Sequence, residues 1–329
     1  MITRKYYYSK LSPLLRDVLN IILDKLQKHE SEITIINPSV TANEIGKVFD
    51  IIDKDFPEIF FIDIKERPIE ISAYGPVKKI RVNYLYSIKE TQRIQMEIKQ
   101  ITTIIIPQEI MSETILNREK IVHDYLAEKV EYHYNSHDAT DYTIVGPILE
   151  GQAICEGYSK AFKYICEQIS LNCLVVSGRA LNLKTGNIDN HAWNIIYVGN
   201  GKYAHVDVTW DSGKSHGLDA MYNYYNLGDK AIEIDHYWDR GLIPVCIGVD
   251  TESVISLNSA PELADHITMK LYNKETTLDF RVNKHFQSSE ELIKLISTIL
   301  NKRNLTMVRS FKLIYNPNTQ SAHCEFDLW

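Results

Sequence analysis

The chain lacks long apolar runs. No stretch approaches the roughly 18 consecutive apolar residues of a membrane helix, so no membrane span is expected. Nor is a signal peptide expected at the start of the chain as given. Met1-Ile2-Thr3-Arg4-Lys5 and the three tyrosines that follow offer neither an apolar core nor a cleavage site. Taken as given, the chain is expected to be cytoplasmic, with export left open for a trimmed chain. Positive charge is in deficit: 36 Lys and Arg stand against 43 Asp and Glu, a net charge of -7. That excludes a broadly basic nucleic-acid surface, and no nucleic-acid partner is expected. Cysteine is sparse and odd in number: Cys155, Cys166, Cys173, Cys246 and Cys324, with no C-x-x-C pair. Neither a zinc ribbon nor a disulfide framework fits that pattern.

What is present describes a globular chain. Its 329 residues are 44% hydrophobic and 24% charged, enough for about two domains. Leu11, Leu14, Leu15, Val18, Leu19, Ile22 and Leu26 recur at helical spacing and predict a helix over 9–28. A short strand follows at Ile33–Ile36. Thr41 and Glu44 form a capping-box pattern ahead of Ile45, Val48, Phe49 and Ile52. Strand-like runs come at Ile59–Ile64, Ile69–Tyr74 and Lys79–Tyr86. A helix from Glu90 stops before Pro107. Residues 118–132 predict another helix. His123, His133 and His137 lie nearby, but their spacing is no recognised ligand pattern, and no metal or other cofactor is expected. Near the end, Ser288 and Glu291 cap a helix, and strands at 306–315 and 321–328 flank a hairpin loop at Asn316-Pro317-Asn318-Thr319-Gln320.

Chemistry concentrates in residues 145–250. Tyr158, Ala161, Phe162, Ile165, Cys166 and Ile169 share one helical face. The face begins one turn after Cys155, which places that cysteine in the first turn. Unpaired backbone N–H groups and the positive end of the helix dipole lie there. Both favour a thiolate, and the same N–H groups can stabilise an oxyanion. Gly157 lets chain or substrate approach closely. Cys166 and Cys173 read as core residues.

His191–Val198 and Tyr203–Trp210 have strand composition, and Gly199-Asn200-Gly201-Lys202 between them is a hairpin signal. With a three-residue loop, Asp207 faces Trp193 and His191 is its diagonal neighbour. An imidazole Nδ1–H could then bond the Asp207 carboxylate. A buried Asp needs such a partner. An oriented His–Asp pair supplies the base and acid that a cysteine nucleophile requires. His205, on the same strand as Asp207, is the competing histidine.

Cys155-x-Gly157-Tyr158-Ser159, His191-Ala192-Trp193-Asn194 and Asp207-x-Thr209-Trp210-Asp211, in that order, resemble the bacterial transglutaminase-like domain. The resemblance spans about residues 115–250, including Tyr222–Leu227 and Asp235-His236. Residues 6–110 are similar to the region that precedes this domain in some bacterial proteins. Residues 255–329 carry no resemblance.

The resemblance implies an α+β fold with a papain-like core, in which a helix carrying Cys155 packs on an antiparallel sheet carrying His191 and Asp207. Smaller α/β regions flank it. The implied division is 1–110, then a catalytic domain at 111–252, then an accessory region at 253–329. The implied activity is acyl transfer through a thioester, with Cys155, His191 and Asp207 as triad and a protein or peptide as substrate. Two residues separate Gln152 from Cys155 and Glu156 follows it, unlike the Gly-Gln-Cys-Trp of animal-type transglutaminases. The Arg-Gly-Gly-x-Cys of arylamine acetyltransferases and the paired C-x-x-C of peptide glycanases are absent. A cysteine peptidase or amidase is therefore favoured, with a transglutaminase using an amine acceptor and a non-catalytic binding module as alternatives. Gln152 stands as a possible supporting residue. Trp193 and Trp210 either shield the His–Asp pair or pack the sheet. Tyr222, Tyr224 and Tyr225 either line an acceptor groove or pack.

Overall fold

The structure, a computed structural model, describes residues 5–63, 69–181, 186–212, 221–249, 255–282, 286, 288–317 and 319–329. They fall into two compact units. One holds residues 1–177 with 192–194, the other 178–191 with 195–329.

The first unit opens with α1 (Tyr6–Lys10) and α2 (Pro13–Gln27). The single helix expected over 9–28 is thus broken. Pro13 supplies no N–H and pushes Ser12 to an extended conformation (ψ 156°), and the Ser12 hydroxyl instead accepts from Leu15 N–H. Strand β1 (Glu32–Ile36) is followed by α3 (Ala42–Asp55), where the Thr41–Glu44 capping box closes in both directions. β2 (Glu70–Tyr74) and β3 (Val77–Arg81) complete an antiparallel sheet of order β1-β3-β2. The expected strand at Ile59–Ile64 does not form. Ile59 to Ile62 are buried in a turn with one isolated bridge, Ile62 to Tyr84, and Ile64 lies outside the described residues. β3 is also shorter than the expected Lys79–Tyr86. Helix α4 (Ile88–Ile105) starts at a second capping box, Ser87 with Glu90.

Helix α5 (Ile115–Lys129) begins three residues before the expected 118, behind the N-cap Thr114. It ends earlier as well, because Glu131–Tyr132 pairs as β4 with β5 (Gln152–Ala153). Then come α6 (Cys155–Gln168) and β6 (Cys173–Leu181). The expected face of α6 is its buried face: Tyr158, Ala161, Phe162, Ile165 and Cys166 are all at most 0% exposed. Two lysines of α6 reach α3. Lys160 Nζ lies 2.6 Å from Asp53 Oδ1, and Lys163 Nζ lies 3.7 Å from Asp55 Oδ1.

The remaining strands are β7 (Ile188–Gly199) and β8 (Lys202–Val206), in a sheet of order β8-β7-β6 with β9 (His236–Tyr237) at its edge; α7 (Asp229–Ile232) precedes β9. The β7–β8 loop is Asn200-Gly201 alone, with φ of 52° and 73°. Two consecutive positive φ values are what a tight two-residue hairpin turn demands, and Asn-Gly meets that demand. The expected three-residue loop is therefore corrected to two residues.

Residues 255–329 build their own α/β layer pair. β10 (Ile255–Leu257) lies parallel to β11 (Thr277–Val282), joined through α8 (Ala260–Tyr272). After α9 (Ser289–Lys302), β12 (Val308–Asn316) and β13 (Ser321–Leu328) form the expected hairpin, giving order β10-β11-β13-β12. Leu263, Ile267, Phe280, Leu292, Ile296 and Cys324 form its core. Ser288 is the N-cap of α9, but its side chain makes no cap hydrogen bond. Asn318, in the hairpin loop, lies outside the described residues.

Candidate active site

In the first unit, Cys155 is the first residue of α6 and is half-buried. Its N-cap Ile154 has no side-chain acceptor to offer the first turn. A loop anchored by the buried Ser136 and Asp141 holds the helix start. Asp141 carbonyl accepts from Ile154 N–H at 3.2 Å. The Asp141 carboxylate takes the His133 ring at 2.6 Å and the Ser136 hydroxyl. A Cβ at position 157 would stand 2.2 Å from that Asp141 carbonyl. The close approach at Gly157 is therefore made by this chain itself. Glu156 turns to Lys160, whose ammonium lies 2.6 Å from Glu156 Oε1. Burial alone would push the Lys160 ammonium down, but Asp53 and Glu156 outweigh it and hold it charged. The negative charge beside the cysteine is thereby offset.

On the same unit, the Asn194 side-chain amide donates to Ser159 carbonyl at 2.9 Å and Leu174 carbonyl at 3.1 Å. One residue of β7 thus links α6 to β6. Trp193 beside it is a fully buried core residue. Gln152 sits on β5, half-buried.

In the second unit, His191 Nε2 lies 2.6 Å from Asp207 Oδ2. The expected pairing is there, by another route. The ring uses Nε2, not Nδ1. Asp207 follows the last residue of β8 and begins a turn, with its carbonyl accepting from Asp211 N–H at 3.1 Å. It reaches His191 from that turn and not across the strand ladder. Asp207 Oδ1 accepts from Trp210 N–H at 3.2 Å, which fixes the carboxylate plane. Burial by itself raises the Asp207 carboxyl. The charge and hydrogen bonds of His191 and His236 outweigh that and hold it well below the usual carboxylate range. The Trp210 ring lies 5.2 Å from that of His191 and 4.6 Å from that of His236.

The competing histidine has another partner. His205 is buried, 3.0 Å from Asp229 Oδ1, with its ring 4.8 Å from Trp238. Tyr222, Tyr224 and Tyr225 are all buried, so they pack rather than line a groove. Sequence reasoning missed His236 as a member of the site. Its Nε2 lies 3.1 Å from Asp207 Oδ2 and its Nδ1 2.7 Å from Asp235 Oδ1. The adjacent Asp235-His236 was the only local signal, since the partner Asp207 is far away in sequence.

Two groups have donor atoms close enough for an ion, among the described residues: His191, Asp207 and His236, and His205, Asp229 and Cys246. In the first the 2.6 Å contact is a hydrogen-bond distance that leaves no room for an ion between the partners. In the second, burial and Asp229 push the Cys246 thiol up. His123, His133 and His137 do not gather. His123 is buried against Asp124, and His133 is taken by Asp141. All five cysteines are free thiols.

Residues 106–208 match the family model of the transglutaminase-like superfamily, and this stretch contains Cys155, His191 and Asp207. Over that stretch the chain is similar to transglutaminase-like domains. Among solved structures it is similar to a TGase, at 11% identity over 54% of this chain and 50% of that one, with a TM-score of 0.28. A candidate cysteine protease from Cytophaga hutchinsonii gives 14% identity over 46% and 64%, TM-score 0.28. The periplasmic domain of TgpA from Pseudomonas aeruginosa gives 12% over 43% and 58%, TM-score 0.28. The chain spans between half and two thirds of the length of these structures. Comparison with curated proteins gives no match. No helix among the described residues is long and apolar enough to cross a membrane.

Proposed function

We propose that the chain is a thiol acyl-transfer enzyme that hydrolyses a peptide, isopeptide or amide bond. Cys155 is the nucleophile, His191 the base and acid, and Asp207 the group that orients the imidazole. Residues 111–252 are the catalytic part, with a papain-like core, and smaller α/β regions flank it.

The observation that carries this reading is the buried His191 Nε2 contact to Asp207 Oδ2 at 2.6 Å, with the carboxylate held ionised. A carboxylate so placed fixes the proton on Nε2 and assigns proton transfer to Nδ1. The thiol loses its proton to Nδ1 and the thiolate attacks the carbonyl carbon. A C–S bond forms, and the oxygen of the tetrahedral adduct carries the negative charge. Backbone N–H groups of the first α6 turn stabilise that oxyanion. The C–N bond then breaks, and the imidazolium returns its proton to the leaving amine. Water, deprotonated by the same imidazole, cleaves the thioester and restores the thiol. An amine in place of water would make the reaction a transglutamination.

The test needs no substrate. Iodoacetamide alkylation is followed from about pH 4 to about pH 9, and the label is located by mass spectrometry, in wild type and His191→Ala. An ordinary thiol titrates near about 8.5. Fast labelling of Cys155 at acid pH, lost in His191→Ala, is expected. Labelling of Cys155 that follows an ordinary thiol, unchanged by His191→Ala, would overturn the reading in favour of a binding module. Peptide and amine screens then separate hydrolysis from transfer.

A further inference from the structure

Asp207 serves two imidazoles. His191 Nε2 and His236 Nε2 both lie on Oδ2, at 2.6 and 3.1 Å. The second ring is itself held from behind. His236 Nδ1 is 2.7 Å from Asp235 Oδ1, Tyr224 hydroxyl donates to Asp235 Oδ2 at 2.8 Å, and Asn316 side-chain amide donates to Tyr224 at 2.5 Å. Asp207, Asp235 and His236 are each 0% exposed. Asn316 ends β12, so the chain of bonds runs into the C-terminal sheet. Two more bonds from that sheet grip the same segment. Ser321 hydroxyl donates to Asn223 carbonyl at 3.1 Å, and Arg281 donates to Tyr225 carbonyl at 2.5 Å.

A fully buried chain of this kind is costly unless each member is satisfied. An acceptor oxygen shared by two donors gives less to each than it would give to one. Ionised Asp207 can only accept, so the proton on the Asp207 side of His236 must sit on Nε2. The groups around His236 are the carboxylates of Asp207 and Asp235, the His191 ring at 5.4 Å, and the Tyr224 ring at 5.3 Å; His205 lies within electrostatic reach.

We propose that His236 is a positioning residue for the His191–Asp207 pair. By donating from Nε2 to Asp207 Oδ2 it fixes the carboxylate and takes a share of it. Asp235, Tyr224 and Asn316 hold His236 in turn, which gives residues after 255 a part in the site's chemistry. This rests on His191 being the base. The shared carboxylate keeps that base from being over-stabilised in its charged form.

The test reads the imidazole rings directly by nitrogen-15 correlation spectra, with signals assigned through His191→Gln and His236→Gln. In wild type His236 Nε2 carries a proton from about pH 5 to about pH 9. An unprotonated His236 Nε2 in that range overturns the proposal without any variant. In His236→Leu, Asp207 serves His191 alone, and the His191 titration moves up by about one pH unit. The alkaline step of the Cys155 alkylation profile moves with it. His236→Gln retains a side-chain N–H donor, and both readouts stay within about a third of that shift of wild type. A folded His236→Leu protein with unmoved His191 overturns the proposal, as does His236→Gln behaving like His236→Leu. Because His191 is read by its own ring, the result stands apart from Cys155. An unreactive Cys155 with a shifted His191 would sink the acyl-transfer reading and leave this one.

Discussion

Asp207 meets His191 from a turn. It stands one residue beyond β8, 2.6 Å from the imidazole Nε2, with its other oxygen on Trp210 N–H at 3.2 Å. Hydrogen bonds on both oxygens leave the carboxylate little freedom to rotate. Asp207→Asn keeps the shape and removes the charge. An amide can also present N–H to the ring and reverse its tautomer. Alkylation of Cys155 at acid pH is expected to fall by about 10²–10⁴-fold in this variant. A rate within about twofold of wild type would mean that Asp207 does not act on the nucleophile.

The same carboxylate makes stability depend on pH. Its native-state proton affinity is depressed by the two imidazoles, against the opposing effect of burial. Unfolded, it titrates near about 3.9. Its contribution is therefore complete above that value and is lost as pH falls toward the lower native one. The urea midpoints of wild type and Asp207→Asn are expected to differ most at neutral pH and to converge below about pH 4. A gap that persists unchanged to the acid end would contradict the depressed ionisation.

Lys160 provides a prediction about the proposed nucleophile. Its ammonium bridges Asp53 and Glu156, and Glu156 follows Cys155 in the chain. Lys160→Met retains the apolar stem and leaves two carboxylates without their cation. Both carboxylates are about a third open to water (28% and 32%), so the cost is discounted to about 2 kcal/mol. The uncompensated Glu156 charge opposes a thiolate next to it. The Cys155 alkylation profile should move to higher pH. Chemical denaturation and the alkylation profile together separate the two effects. Lost stability with an unmoved profile would show that Glu156 does not bear on the thiol.

Much of this was legible in local sequence, and the failures share one cause. Cys155 could be placed at a helix start because the apolar face of α6 begins at Tyr158, a local pattern. His191 and Asp207 could be paired because a buried Asp needs a partner and a hairpin signal lay between them. The route was not legible, since Asn200-Gly201 makes a shorter turn than the one assumed and β8 ends before Asp207. The break at Ser12 was written in Pro13 but was overridden by the leucine periodicity. His236 was missed because what makes it part of the site is distant: Asp207 lies 29 positions before it. The role of Asn316 was hidden for the same reason, 92 positions from Tyr224. Buried polar chains are tertiary facts, and one-dimensional periodicity does not encode them.

Two glycines predict opposite outcomes for one substitution. Gly157 lies in the first turn of α6, where an added Cβ would stand 2.2 Å from Asp141 carbonyl and 3.1 Å from Ala153 Cβ. The first neighbour is backbone and cannot swing away. Gly157→Ala must displace the 133–141 loop or the start of α6, and should cost about 2–3 kcal/mol. Because the displaced turn carries Cys155, alkylation of that thiol should slow as well. Gly46 sits within α3 with nothing inside 4 Å of its added Cβ. Gly46→Ala is therefore expected to stabilise by about 0.5–1 kcal/mol, through the lower backbone entropy of the unfolded chain. Urea unfolding of both variants measures the two signs. If Gly157→Ala proved neutral, the contact of α6 with Asp141 carbonyl would not exist, and the helix start would have to be held by something else.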